Sequence, residues 1–203
     1  RCAGVMRDGT FFLAPDRDPL PAERPFKGAF GPRTEVLGVH LAVPIVRAGD
    51  LMCGAGDGRG AASTPYSRRM SVVLDETRVG SEREIATAVR NLKVLFSGES
   101  FEDHHTMKIA EVTVTPTGSF ELVTTYVPPC QNLSVAPFLV QLLRRVTEVL
   151  SSKSQDLAGQ QRKTGGMAEA ARFWLLHTVN SHLPALIHCY HQEQTHPEQA
   201  FLK

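Results

Sequence analysis

The sequence predicts an α+β chain, with a β domain first and a helical domain after it. Three observations carry this reading. Apolar side chains alternate at Leu37, Val39, Leu41, Val43 and Ile45, the two-residue period of a strand. From Ala136 to Leu157 they recur instead at intervals of three and four, the period of a helix. Between the two regimes lies the stretch from Tyr126 to Pro137, with Pro128 and Pro129 adjacent. Two prolines in a row offer no backbone N–H and fix φ, so neither a strand ladder nor a helix runs through them.

The elements follow in chain order. Residues 14–33 hold five prolines and little periodicity, which predicts a loop or extended strap. The alternation from Leu37 to Ile45 predicts a strand with one buried face, and Met70, Val72 and Leu74 repeat the pattern briefly. Residues 81–96 fit a helix when read alone. Ser81 and Glu84 have capping-box spacing, and Ile85, Ala88, Val89, Leu92, Leu95 and Phe96 fall on one helical face. Residues 107–115 and 119–127 flank Pro116-Thr117-Gly118 and predict a hairpin, with Phe120, Leu122, Thr124 and Tyr126 sharing a face.

At the junction, Ser134 is the expected N-cap, with Pro137 in the first helical turn, where a missing N–H costs nothing. The first helix is expected over about 135–161. Ala136, Leu139, Leu143, Val146, Leu150 and Leu157 form its seam, interrupted at Lys153 and widened by Phe138, Leu142 and Val149. Such a stripe is too broad for one partner helix. Leu139, Leu142, Leu143, Val146, Val149 and Leu150 are therefore the candidate bundle or subunit face. Gly165-Gly166 stops this helix. A second is expected from about Met167 to Leu183, kinked or restarted at Pro184 and continuing to about Gln194. Thr195 is expected to cap a last helix, with Pro197 in its first turn and Glu198 at the capping-box position.

Composition narrows the function. Lys and Arg number 22 against 21 Asp and Glu, a balance that argues against a broad nucleic-acid surface. Cys2, Cys53, Cys130 and Cys189 are scattered, without the spacing of a disulfide framework or a thiolate zinc site; reduced cytosolic thiols are the simpler account. Cys130 has no neighbouring base to activate it and reads as structural. No apolar run approaches the ~20 residues of a spanning helix, so no membrane insertion is expected. The chain begins with Arg1 and ends at a helix start, which suggests an excerpt of a longer polypeptide.

Three clusters invite a chemical reading. The run Gly54 to Gly60 resembles a phosphate loop, but it lacks a Gly-Lys-Ser/Thr ending, and Pro65 follows where a helix should open. His188 and His191 stand at i, i+3 on one helical face, as metal ligands can, with no obvious carboxylate or cysteine partner; histidines at a helix end are the plainer account. His104-His105 reads as a turn with two exposed imidazoles. Trp174, among Phe173, Leu175 and Leu176, reads as core. No nucleophile elbow or activated cysteine is visible. No catalytic residue, cofactor or metal is assigned. A metal- or nucleotide-binding enzyme using the His188–His191 region or the Gly54–Gly60 loop is the alternative to an interaction protein.

The junction Tyr126-Val127-Pro128-Pro129-Cys130, with Ser134 and Pro137 after it, resembles the corresponding segment of the TssK family, baseplate subunits of the bacterial type VI secretion system. Arg7-Asp8-Gly9-Thr10, Leu41 to Arg47, Asn91 to Glu99, Phe173 to His177 and Thr195 to Glu198 resemble further segments of that family in the same order. His104-His105-Thr106, where an aromatic turn is expected, and the polar run 54–60 depart from it. The resemblance implies an antiparallel β-sandwich shoulder over 1–130 and a helical-bundle neck over 131–203, each incomplete at its outer end. It favours a strand over a helix within 81–96. It further implies a cytoplasmic homotrimer, similar in its shoulder to phage receptor-binding proteins. Such a subunit binds the TssF–TssG wedge and reaches the membrane complex through a C-terminal head absent from these residues.

Overall fold

The computed structural model describes residues 2–32, 34–54, 64–77, 80–159, 166–192 and 194–203. The chain divides into two compact units, Arg1–Val123 and Thr124–Lys203.

The described residues of the first unit hold nine strands: β1 (Cys2–Val5), β2 (Phe11–Ala14), β3 (Val36–Pro44), β4 (Cys53–Gly54), β5 (Tyr66–Leu74), β6 (Glu82–Arg90), β7 (Lys93–Phe96), β8 (His104–Val114) and β9 (Phe120–Leu122). They form three sheets, ordered β1-β2, β7-β3-β8-β9 and β4-β5-β6. Pairing is antiparallel except between β4 and β5. The centre is β3, the alternating run of the sequence. Met6, Phe12 and Ala14, from the first hairpin, pack with Leu41, Val43 and Leu92. Further along the same face of β3, Leu37 and Val39 pack with Phe96 and Val112, and Phe26, Ala29 and Phe30 of the strap close that cluster.

The opposite face of β3 is also buried, which the alternation did not predict. Gly38 and Ala42 are covered there. A Cβ on Gly38 would collide with Ser97 Oγ and press on Lys108 Cε, so a larger residue here would have to displace those side chains. His40 shares this face, its ring 4.7 Å from that of Phe101.

After Ala14, which ends β2, the described residues of the strap (15–32) form no regular element, as its prolines predict, and polar contacts pin it. Asp18 is buried and accepts from Leu13 N–H and Arg90 N–H, both at 3.0 Å. Arg24 donates to both Glu99 carboxylate oxygens, at 2.9 and 2.6 Å, and to Val94 C=O, while stacking on Phe96. Phe26 and Phe30 each meet the Phe120 ring.

Within 81–96 the chain forms β6 and β7, the strand reading that the family resemblance favours over the helical spacing, through pairing with β5 and β3. Several other expectations are corrected here. The hairpin around Thr117 forms, but β9 is three residues long rather than running to residue 127. His104 and His105 begin β8 and are half-buried, so they are not an exposed turn. Met70, Val72 and Leu74 do lie on a strand, but exposed.

The second unit holds α1 (Pro137–Gly159), α2 (Met167–His191) and α3 (Pro197–Phe201). α2 continues through Pro184 without a break and ends at His191, short of Gln194. Residues 160–165, which include the expected stop at Gly165, lie outside the described residues.

Candidate interaction surfaces

The junction is built from short-range polar contacts. A 3₁₀ turn spans Leu133–Val135, and its cap is Asn132, whose side-chain oxygen accepts from Ser134 N–H at 3.0 Å. Ser134 is therefore not the cap of α1: its own hydroxyl donates to Asn132 as well. Pro137 is the first residue of α1, as expected. Leu133 N–H donates to Thr195 C=O at 2.7 Å, which ties the entry of α1 to the turn after α2. Thr195 is buried, its hydroxyl donating to Cys189 C=O, and His196 caps α3 in its place by accepting from Glu198 N–H. Pro128 and Cys130 are half-buried and Pro129 is exposed; burial pushes the Cys130 thiol pKa up.

α1 and α2 pair along a narrow seam. Leu133, Leu143 and Cys189 form its buried centre, flanked by Leu139, Val140, Leu186, Tyr190 and Ala200. Ser154 donates to the side-chain oxygen of Asn180 at 2.6 Å further along.

The six residues of the candidate face split into two groups. On an ideal helix at about 100° per residue, Leu139, Leu143 and Leu150 fall within ~40° of each other, and Leu142, Val146 and Val149 form the adjoining ~60°. The first group is buried or half-buried, and the second is exposed, Val149 at 60%. α2 is apolar around much of its circumference. Phe173, Trp174, Leu175 and Ile187 are exposed; Phe173 stacks on His177, and Trp174 meets both rings edge-to-face at the surface. Trp174 is 64% exposed, so its reading as core is overturned within the described residues. One partner helix cannot cover an apolar band this wide.

The chemical candidates gain no geometry. His188 and His191 lie in the last turn of α2, exposed. Among the described residues no three His, Cys, Asp or Glu side chains come close enough to hold a metal ion. Of the Gly54–Gly60 run only Gly54 is described, in β4; residues 55–60 lie outside the described residues. Burial lowers the pKa of His104, with Lys93 adding to the effect, and its Nδ1 is buried without a hydrogen-bond partner. No described helix is long and apolar enough to cross a membrane.

Comparison with known proteins places this geometry. The chain is 25% identical to the type VI secretion system baseplate component TssK1 of Pseudomonas aeruginosa over 202 residues, 98% of this chain and 44% of that protein. A crystal structure of TssK superposes with a TM-score of 0.81 at 25% identity, covering 98% of this chain and 47% of that one. A chain of a type VI secretion system TssK-TssF-TssG baseplate subcomplex superposes with a TM-score of 0.82 at 20% identity, covering 98% of this chain and 64% of that one. The chain thus spans less than half the length of the curated relative it matches. The family described as "Bacterial Type VI secretion, VC_A0110, EvfL, ImpJ, VasE" matches residues 1–203, and the chain belongs to that family, as its TssK-like motifs predict.

Proposed function

We propose that this chain is the shoulder and neck portion of a cytoplasmic homotrimer that binds the TssF–TssG wedge of a type VI secretion baseplate, by contact alone and without bond chemistry. Residues 1–130 act as the shoulder and 131–203 as the neck. The observation that carries the reading is the exposed stripe Leu142, Val146 and Val149 beside the apolar surface of α2. Closed cyclic assembly is the common way for a subunit to cover such a band. The solved relative bound to TssF and TssG supports the choice of partner. The TssK resemblance assigns the membrane-complex contact to a C-terminal head, and no residue of this chain is proposed for it.

Light scattering on the purified chain, followed by co-purification with TssF and TssG of the same secretion system, tests this. A trimer mass and retention of both partners are expected. A monomer at micromolar concentration that ignores TssF–TssG and retains stoichiometric zinc overturns the reading in favour of the enzyme alternative.

A further inference from the structure

Among the described residues no strand pairs with the outer edge of β6 in the β5–β6 arm, and we propose that this edge takes an extended segment of a partner protein as an added strand. The inference rests on reading the chain as an assembly subunit. β6 is the outer strand of its sheet. Its nine residues pair with β5 in one unbroken register, with no proline and no bulge. The direction of its backbone groups is fixed at both ends. Asn91 N–H bonds Pro65 C=O and Asp75 N–H bonds Ser81 C=O, so the odd-numbered residues of β6 face β5. Arg90 N–H points the other way, to Asp18. By alternation the N–H and C=O groups of Glu82, Glu84, Ala86 and Ala88 also point outward, and Asp18 closes the row at Arg90. A row of this kind is a template for another strand.

The side chains say which strand. Glu82, Glu84, Ala86 and Ala88 stand opposite Leu74, Val72, Met70 and Arg68, so all eight share one face. Leu74 is 68% and Val72 63% exposed. Among the described residues neither Glu82 nor Glu84 has an ion-pair partner; Arg83 faces the other side, 3.6 Å from Asp75. An incoming segment therefore gains by placing Lys or Arg beside Glu82 and Glu84 and apolar residues beside Ala86 and Ala88. A second copy of β6 does not fit this requirement. Across residues 82–88 it offers no cation on this face, and its Arg90 end is closed by Asp18.

The test is Ala86→Pro in the intact protein. Proline is tolerated on an edge strand where the lost N–H faces outward, but it blocks pairing there. Binding to TssF–TssG should weaken about tenfold or more, with circular dichroism and oligomer mass unchanged. Unchanged affinity overturns the proposal. A change in oligomer mass assigns the edge to a second copy and overturns it too. If Ala86→Pro does not fold, Glu82→Lys with Glu84→Lys decides: weakened binding in the folded double variant supports the charged strand, and unchanged binding refutes it. Failure of the unsubstituted protein to bind TssF–TssG strikes the parent reading itself and removes this inference with it.

Discussion

The two units satisfy their apolar surface in different ways. In the first, Phe12, Leu37, Val43 and Val112 are fully buried by strands and strap of the same unit, and buried polar groups such as Asp18 hold the covering segments. In the second, few large side chains are buried, while Val149, Trp174 and Phe173 are among the many left outside. Hydrophobic burial scales with area removed from water, so the second unit leaves more of its apolar surface unburied within itself than the first does. The β5–β6 arm is the part of the first unit that behaves like the second. On the proposed function, the difference separates residues that hold a unit together from residues that recruit a neighbour.

The strongest way to break that distinction is to place the same carboxylate on each side of it. Leu143→Asp puts a charge into the α1–α2 seam and should unfold the helical unit, costing about 3–5 kcal/mol. Far-ultraviolet circular dichroism and thermal melting read it. Val149→Asp, at an exposed site, should keep helicity and melting of the isolated subunit but shift light-scattering mass from trimer to monomer. Val146→Asp, at the border of the two groups, should resemble Val149→Asp more than Leu143→Asp. If Leu143→Asp and Val149→Asp behave alike, the division of α1 into an inner and an outer stripe is wrong.

How far this was legible in the sequence differs between the units for physical reasons. β3 was legible because its large apolar residues all lie on one side of the strand; its second buried face was not, because Gly38 and Ala42 carry almost no side chain to signal it. β6 was hidden because an exposed arm places Ile85 and Val89 on one face and Ala86 and Ala88 on the other, which erases the two-residue period. Pairing with the preceding strand β5 decided the matter. Ser134 and Thr195 have the chemistry and spacing of caps, but Ser134 lies inside a 3₁₀ turn capped by Asn132, and His196 caps α3 in place of Thr195. The broad stripe on α1 was legible as one band. Its division needed the position of α2, which no local pattern records.

A smaller effect sharpens the first half of the comparison. The Arg24 guanidinium, hydrogen-bonded to Glu99, holds that carboxyl down to about 2, from an ordinary 4.5. A depressed carboxylate contributes fully above its unfolded pKa and loses the contribution as pH falls toward the folded value. Both side chains keep about a third of their surface in water, 37% and 35%, so screening holds the contribution to about 1 kcal/mol. Glu99→Gln should lower stability by about that amount at pH 7. The gap to the unsubstituted protein should close between pH 4.5 and pH 2, measured by urea titration at each pH. A variant indistinguishable at pH 7 would mean that the aromatic contacts of Phe26 and Phe30 hold the strap unaided.

The smallest expected effect concerns Cys130, at the start of the second unit. Its thiol is half-buried and pushed up by that burial, with no base or cation acting to lower it. A protonated thiol is a poor nucleophile, so iodoacetamide at pH 7.5 should modify exposed Cys53 first, Cys130 later and buried Cys189 last. Labelling of Cys130 should accelerate as pH rises above 9, while access still limits Cys189. Cys130→Ala removes a small, partly covered side chain and should cost less than ~1 kcal/mol. It should leave TssF–TssG retention unchanged, because the outer stripe of α1 and the edge of β6 contain no part of it. Mass spectrometry of the labelled sites and a pull-down with the alanine variant read both halves. Loss of retention with the melting temperature intact would move Cys130 from residues that hold the unit to residues that recruit a neighbour.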